Sequence, residues 1–102
     1  MGGMIHSQTP DTQSSVELPF TDRARRFGYV IWPKKREGEV IDLLQQTEEI
    51  VIEFNGNDLG AKRIDYKYCR ISVGRSVMAG IADDASTMRL TREGSSLRVE
   101  VS

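Results

Sequence analysis

Along most of the chain, apolar and polar positions alternate with a period of two, and Gly, Pro or Asn interrupts the alternation at intervals. This pattern predicts short strands joined by tight turns. Residues 27–32 (Phe-Gly-Tyr-Val-Ile-Trp) form a strand run that Pro33 stops. Ile50, Ile52 and Phe54 alternate with Val51 and Glu53, and Asn55-Gly56 then supplies a hairpin turn. Residues 59–64 return as its partner. Residues 66–71 alternate again, with Tyr66, Tyr68 and Arg70 on one face and Lys67, Cys69 and Ile71 on the other. Residues 88–92 and 97–101 flank Glu93-Gly94-Ser95-Ser96 and predict a second hairpin.

The period changes in only two places. Val40, Leu43 and Leu44 sit at i, i+3, i+4 and mark a helix over 39–46, starting after Gly38. Val77, Met78 and Ile81 mark a shorter helix over 76–81. Thr21-Asp22 looks like a turn or a cap for one helical turn through Ala24, and residues 16–20 make an extended entry segment. The order strand, turn with a base, helix and hairpin then occurs twice, over about 26–64 and 66–102. The two openings, Tyr29-Val30-Ile31-Trp32-Pro33-Lys34 and Arg70-Ile71-Ser72-Val73-Gly74-Arg75, match in pattern and not in identity. The expected fold is mainly β with two short helices. It is a small closed barrel built from two strand–helix–hairpin pseudo-repeats, after a disordered tail over residues 1–19.

Composition fits one domain of 102 residues with one core. No run approaches the length of a membrane span, no signal peptide is visible, and His6 breaks the myristoylation pattern. Met1-Gly2-Gly3 ahead of a second methionine, Met4, has the look of an added leader. The one cysteine, Cys69, reads as a small core residue, so a cytoplasmic protein is expected.

Charge changes this picture more than composition does. The net charge of −1 conceals segregated blocks. Residues 23–36 carry six bases and no acid, 37–58 seven acids and no base, and 62–75 five bases against Asp65 alone. Two basic blocks thus surround the opening strand of each copy, and a fold that joins the copies would merge them into one basic surface.

Catalytic chemistry has little to stand on, and no enzyme is expected. One His and one Cys exclude a Cys/His metal cluster and leave no nucleophile pair. Asp58 followed by Asp65-Tyr66-Lys67 has the carboxylate spacing of metal-dependent nucleases, a pattern that chance also produces in a charged chain. No metal or cofactor is expected. The basic candidates are Arg25, Arg26, Lys34, Lys35, Arg36, Lys62, Arg63, Lys67, Arg70 and Arg75, which would neutralise phosphates of DNA, with RNA also open. Trp32, Tyr29, Tyr66 and Tyr68 could stack on bases, but their alternation favours the core. In a second reading, the acidic 37–58 stretch docks a basic protein partner, as in an adaptor or antitoxin-like module. A homodimer is open as well.

Val30-Ile31-Trp32-Pro33-Lys34-Lys35-Arg36, followed by a helix and a hairpin, resembles the opening of the AbrB/MraZ/SpoVT swapped-hairpin proteins. Ile71-Ser72-Val73-Gly74-Arg75 repeats it without the proline. Thr47-Glu48-Glu49 and Ala85-Ser86-Thr87 stand where that family often has Gly-Asp. The resemblance implies an interlocked barrel and a DNA-binding transcription regulator, with bases around the first strand contacting DNA.

Overall fold

A computed structural model describes residues 15–102. The expectations placed on residues 1–14 lie outside the described residues. The tail does not extend to residue 19, however, because Ser15–Pro19 form a strand, β1. Val16 and Leu18 point into the core from β1, and Phe20 follows them. This period-two burial gives the segment a hydrophobic reason to order.

After β1 come α1 (Asp22–Phe27), β2 (Tyr29–Ile31), a 3-10 turn (Lys34–Arg36) and α2 (Glu37–Leu44). The first hairpin is β3 (Glu49–Phe54) and β4 (Asn57–Asp65). Then follow β5 (Arg70–Ser72), α3 (Arg75–Met78), β6 (Thr87–Glu93) and β7 (Ser96–Val101). The fold is mainly β, with three helices where two were expected. Its seven strands make one curled sheet in the order β1-β6-β7-β3-β4-β5-β2, a half-barrel. The sheet curls without closing, since β1 and β2 are its two edges.

Strand, helix and hairpin do follow one another twice, as β2-α2-β3-β4 and β5-α3-β6-β7. The two runs occupy unlike places in the sheet. β3 pairs in parallel with β7, whereas the corresponding place beside β6 is taken by β1. β2 pairs with β5 and β5 with β4, so the two opening strands lie together at one end.

Turn chemistry explains both hairpins. Asn55 and Gly56 have φ of +45° and +88°, the two positive values of a I′ turn. In the second hairpin Glu93 pairs with Ser96, which leaves Gly94-Ser95 as the turn, with φ +61° at Gly94. The helix around Val40 starts earlier than its glycine implied. Gly38 lies within α2, because the 3-10 turn of Lys34–Arg36 leads into the helix ahead of it. α2 ends at Gln45, which takes a left-handed φ of +56°. α3 is only four residues, shorter than the expected 76–81. Residues 66–69, expected within a strand, form a turn instead, and Cys69 is buried there with φ +57°.

The core is apolar throughout, with no buried polar or charged residue among the described ones. Leu44 of α2 and Phe54, Ile52, Leu90, Leu97 and Val99 of the sheet form its centre. Val30, Ile64 and Ile71 extend it under the β4-β5-β2 end, where they pair across strands on one face. No helix among the described residues is long and apolar enough to cross a membrane.

α1 is a helix of less than two turns, so its cap matters. Thr21 is extended at φ −109° and its Oγ1 accepts from Ala24 N at 3.2 Å. Thr21→Ala should cost about 1 kcal/mol, a fall in melting temperature of roughly 4–8 °C for a domain of this size. Thermal unfolding followed by circular dichroism checks this, and an unchanged midpoint would show that α1 is held by packing alone.

Candidate nucleic-acid interface

Because side chains alternate across a strand, inward Val30, Ile64 and Ile71 put their neighbours on the outer face. Register then sets Asp65, Arg70 and Ile31 side by side on that face, and Tyr29 beside Ser72. The turn at 66–69 brings Tyr68 to the same place. A ladder of rings and cations results. Phe27 stacks on Tyr29 with centroids 5.8 Å apart. The Arg70 guanidinium lies 4.6 Å from the Tyr29 ring and 5.0 Å from the Tyr68 ring, and Lys67 Nζ lies 5.4 Å from Tyr68. Both end rings are exposed, Phe27 47% and Tyr68 57%, with Lys67 over the Tyr68 ring.

Two shallow grooves flank Arg70. One, of about 420 Å³, is lined by Arg23, Lys34, Lys67 and Arg70, with Trp32 and Tyr68 as its apolar wall. The other, of about 480 Å³, is lined by Arg63 and Arg70 with Tyr29, Tyr66 and Asp65. Arg23 and Lys34 come from the first basic block, and Arg63, Lys67 and Arg70 from the second. Parts of both blocks therefore share one surface, on which Asp65 is the one acid in the groove walls. Asp65 Oδ2 is 3.5 Å from Arg70 Nε, and its Oδ1 accepts from Tyr68 N at 3.1 Å. The carboxylate thus fixes the turn and lies beside the Arg70 guanidinium. Lys34 Nζ is 3.3 Å from Glu37 in an exposed pair, which a phosphate can displace at little cost.

The remaining candidate bases stand elsewhere. Arg25 donates to the carbonyls of Ile81 and Ala82 at 3.1 and 2.8 Å and covers the Phe20 ring, so it ties down the loop after α3. Arg36 is bound to Glu39 and donates to Glu17 O at 3.0 Å, bracing α2 against β1. Their hydrogen bond raises the Arg36 pKa and lowers that of Glu39. Lys62 is opposite Ile50, on the inward-facing side of β4, and so points away from its neighbour Arg63. Arg26, Lys35 and Arg75 are exposed on α1, the 3-10 turn and α3. They line neither groove.

Alternation predicted core positions for the aromatics, and this holds for only some of them. Trp32 is 3% exposed and belongs to the core. Tyr66 is half-buried and donates its hydroxyl to Thr47 O at 2.6 Å. Burial pushes its pKa up, and Arg92 opposes that. Tyr29 and Tyr68 are outer-face residues. Phe27 joins them because α1 ends there, ahead of β2; the only signal in the chain was a phenylalanine next to a helix-stopping glycine.

The nuclease geometry does not form. Asp58 and Asp65 stand near opposite ends of β4, about 23 Å apart at 3.3 Å per residue. Asp58 Oδ1 accepts from Gly60 N within its own turn. No group of three or more metal-ligating side chains occurs among the described residues. The acidic 37–58 stretch is not one free face either. Glu37, Glu39 and Glu53 each pair with a base, and Asp58 is occupied in the turn. A larger hollow of about 710 Å³ lies over β6 and β7, but both of its bases are paired with acids and it gathers no positive charge. Arg89 meets Glu17 at 3.2 Å, and Arg98 meets Glu93 at 2.8 Å and Glu53 at 4.0 Å. No family model matches this chain, and comparison with curated proteins and with solved structures likewise found no match.

Proposed function

We propose that this chain is a cytoplasmic DNA-binding protein acting in gene regulation, and that it binds through the outer face of β4, β5 and β2. The observation that carries the reading is the convergence of Arg23, Lys34, Arg63, Lys67 and Arg70 around one aromatic ladder. Five cations line the two grooves against Asp65 alone in their walls, with Glu37 and Glu49 beside Lys34 and Arg63, so an anionic backbone meets a net positive surface. The planar guanidinium of Arg70, paired with Asp65 at Nε, leaves its other nitrogens for a phosphate. The strand–helix–hairpin order occurs twice, as in swapped-hairpin regulators, although the sheet does not close into an interlocked barrel. The unpaired thiol of Cys69 suits a reducing compartment.

Binding is expected to weaken steeply with salt. If four or five of these cations each displace a counterion from a duplex, the plot of log Kobs against log salt has a slope of about −3.6 to −4.5. Fluorescence anisotropy between 50 and 300 mM NaCl, concentrations bracketing the usual working range, measures it. A flat slope, or no binding at the lowest salt, would sink the proposal.

A further inference from the structure

Phe27 and Tyr68 are two of only three large apolar side chains left exposed among the described residues, and both sit on the ladder. A surface built only to hold phosphates has no use for them, since bases in a duplex hide their faces from the protein. Unpaired bases offer those faces. An aromatic ring beside a cation is the arrangement that accepts a base by stacking while its phosphate is neutralised. Here Tyr68 is flanked by Arg70 at 5.0 Å and Lys67 at 5.4 Å. Phe27 forms the other end, backed by Tyr29.

We propose that the ladder face takes unpaired nucleotides, with bases stacked on Tyr68 and Phe27 and phosphates held by Lys67, Arg70 and Lys34. The inference rests on the nucleic-acid reading above and narrows it to single-stranded or locally opened DNA. Tyr68 stands out from a turn that Asp65 pins through the Tyr68 amide, so the backbone that carries the ring is set before any ligand arrives. Preorganisation of this kind favours stacking over loose charge attraction.

The test is fluorescence anisotropy at one salt concentration with three labelled probes: an oligo-dT of about 12 nucleotides, chosen to span a typical single-strand site, a duplex of about 20 base pairs, long enough to cover the face, and a poly-glutamate peptide of length similar to the oligo-dT. Oligo-dT should bind most tightly. Tyr68→Ala should weaken it about tenfold or more and leave the duplex almost unchanged, while Tyr68→Phe should retain wild-type affinity. Tyr68 is exposed, so the alanine variant should fold, which circular dichroism checks. If the duplex binds as well as oligo-dT and Tyr68→Ala changes neither, stacking is refuted and phosphate binding survives. Poly-glutamate binding as tightly as oligo-dT refutes stacking as well, because charge alone would explain the face. Failure of both DNA probes to bind overturns this inference and the DNA-binding reading together.

Discussion

Arg70→Ala should weaken nucleic-acid binding roughly 10- to 100-fold, more than any other single change to a base on the chain. Arg70 is the one cation that borders both grooves and lies against two rings, at 4.6 Å from Tyr29 and 5.0 Å from Tyr68. Its loss removes a phosphate contact and the plate that separates and supports the rings. It also leaves Asp65 without the Arg70 pair, adding an uncompensated negative charge to the face. The salt slope should flatten by about one unit. Arg70→Lys keeps the charge but not the plane, so its affinity should fall between wild type and Arg70→Ala. Arg36→Ala is the useful comparison. It removes the same charge from a residue bound to Glu39 and Glu17, and it should affect stability more than binding. Equal binding losses for the two variants would show that net charge, rather than this face, governs affinity.

Gly28→Ala should destabilise the fold by about 4 kcal/mol or more, a large part of the roughly 5–15 kcal/mol that holds a domain together. Gly28 follows α1 with φ +72°. A Cβ there would lie 2.3 Å from the carbonyl carbon of Gly74 and 2.4 Å from Arg75 N, both backbone atoms. Neither side can retreat easily. Gly28 O accepts from Val73 N and Gly74 N at 2.8 and 3.0 Å, and Gly28 N donates to Ala24 O at 2.9 Å. This is where the end of α1 meets the start of α3. Gly94→Ala is the control, with φ +61° but open space around the added carbon. It should cost only about 1 kcal/mol, the price of a left-handed residue. Urea unfolding distinguishes them, with the Gly28→Ala midpoint falling by more than about 1 M. Similar midpoints for the two variants would remove any special weight from the contact between Gly28 and Gly74.

Much of the secondary structure was legible along the chain, because its signals are local. Asn55-Gly56 and Glu93-Gly94 announce their hairpins through the positive φ that the turns demand. The apolar stripe Val40, Leu43, Leu44 announces α2. The parallel joint between β3 and β7 had no such signal, since register between distant strands is set by the whole core and not by either segment. Closure failed as an expectation for a related reason. β1, an extended entry segment with no partner marked in the sequence, takes the free edge of β6, and the two ends of the sheet stay apart.

The site was half legible. The charge blocks mark segments whose bases converge only in part: the pleat separates Lys62 from Arg63, and internal contacts engage Arg25 and Arg36. Period-two reasoning placed Tyr68 correctly on the side of Arg70 and wrongly in the core. A turn over 66–69, rather than a strand, carries its ring to the surface.

The pairing of early strands with late ones has a consequence during synthesis. β1 at Ser15–Pro19 needs β6, and β3 needs β7 at Ser96–Val101. Until the segment after residue 87 leaves the ribosome, β1 has no partner and the β3-β4 hairpin has one bare edge. Such exposed edges invite pairing with other chains. The nascent chain should therefore stay without its core until β6 and β7 have emerged, and then acquire it in one cooperative step.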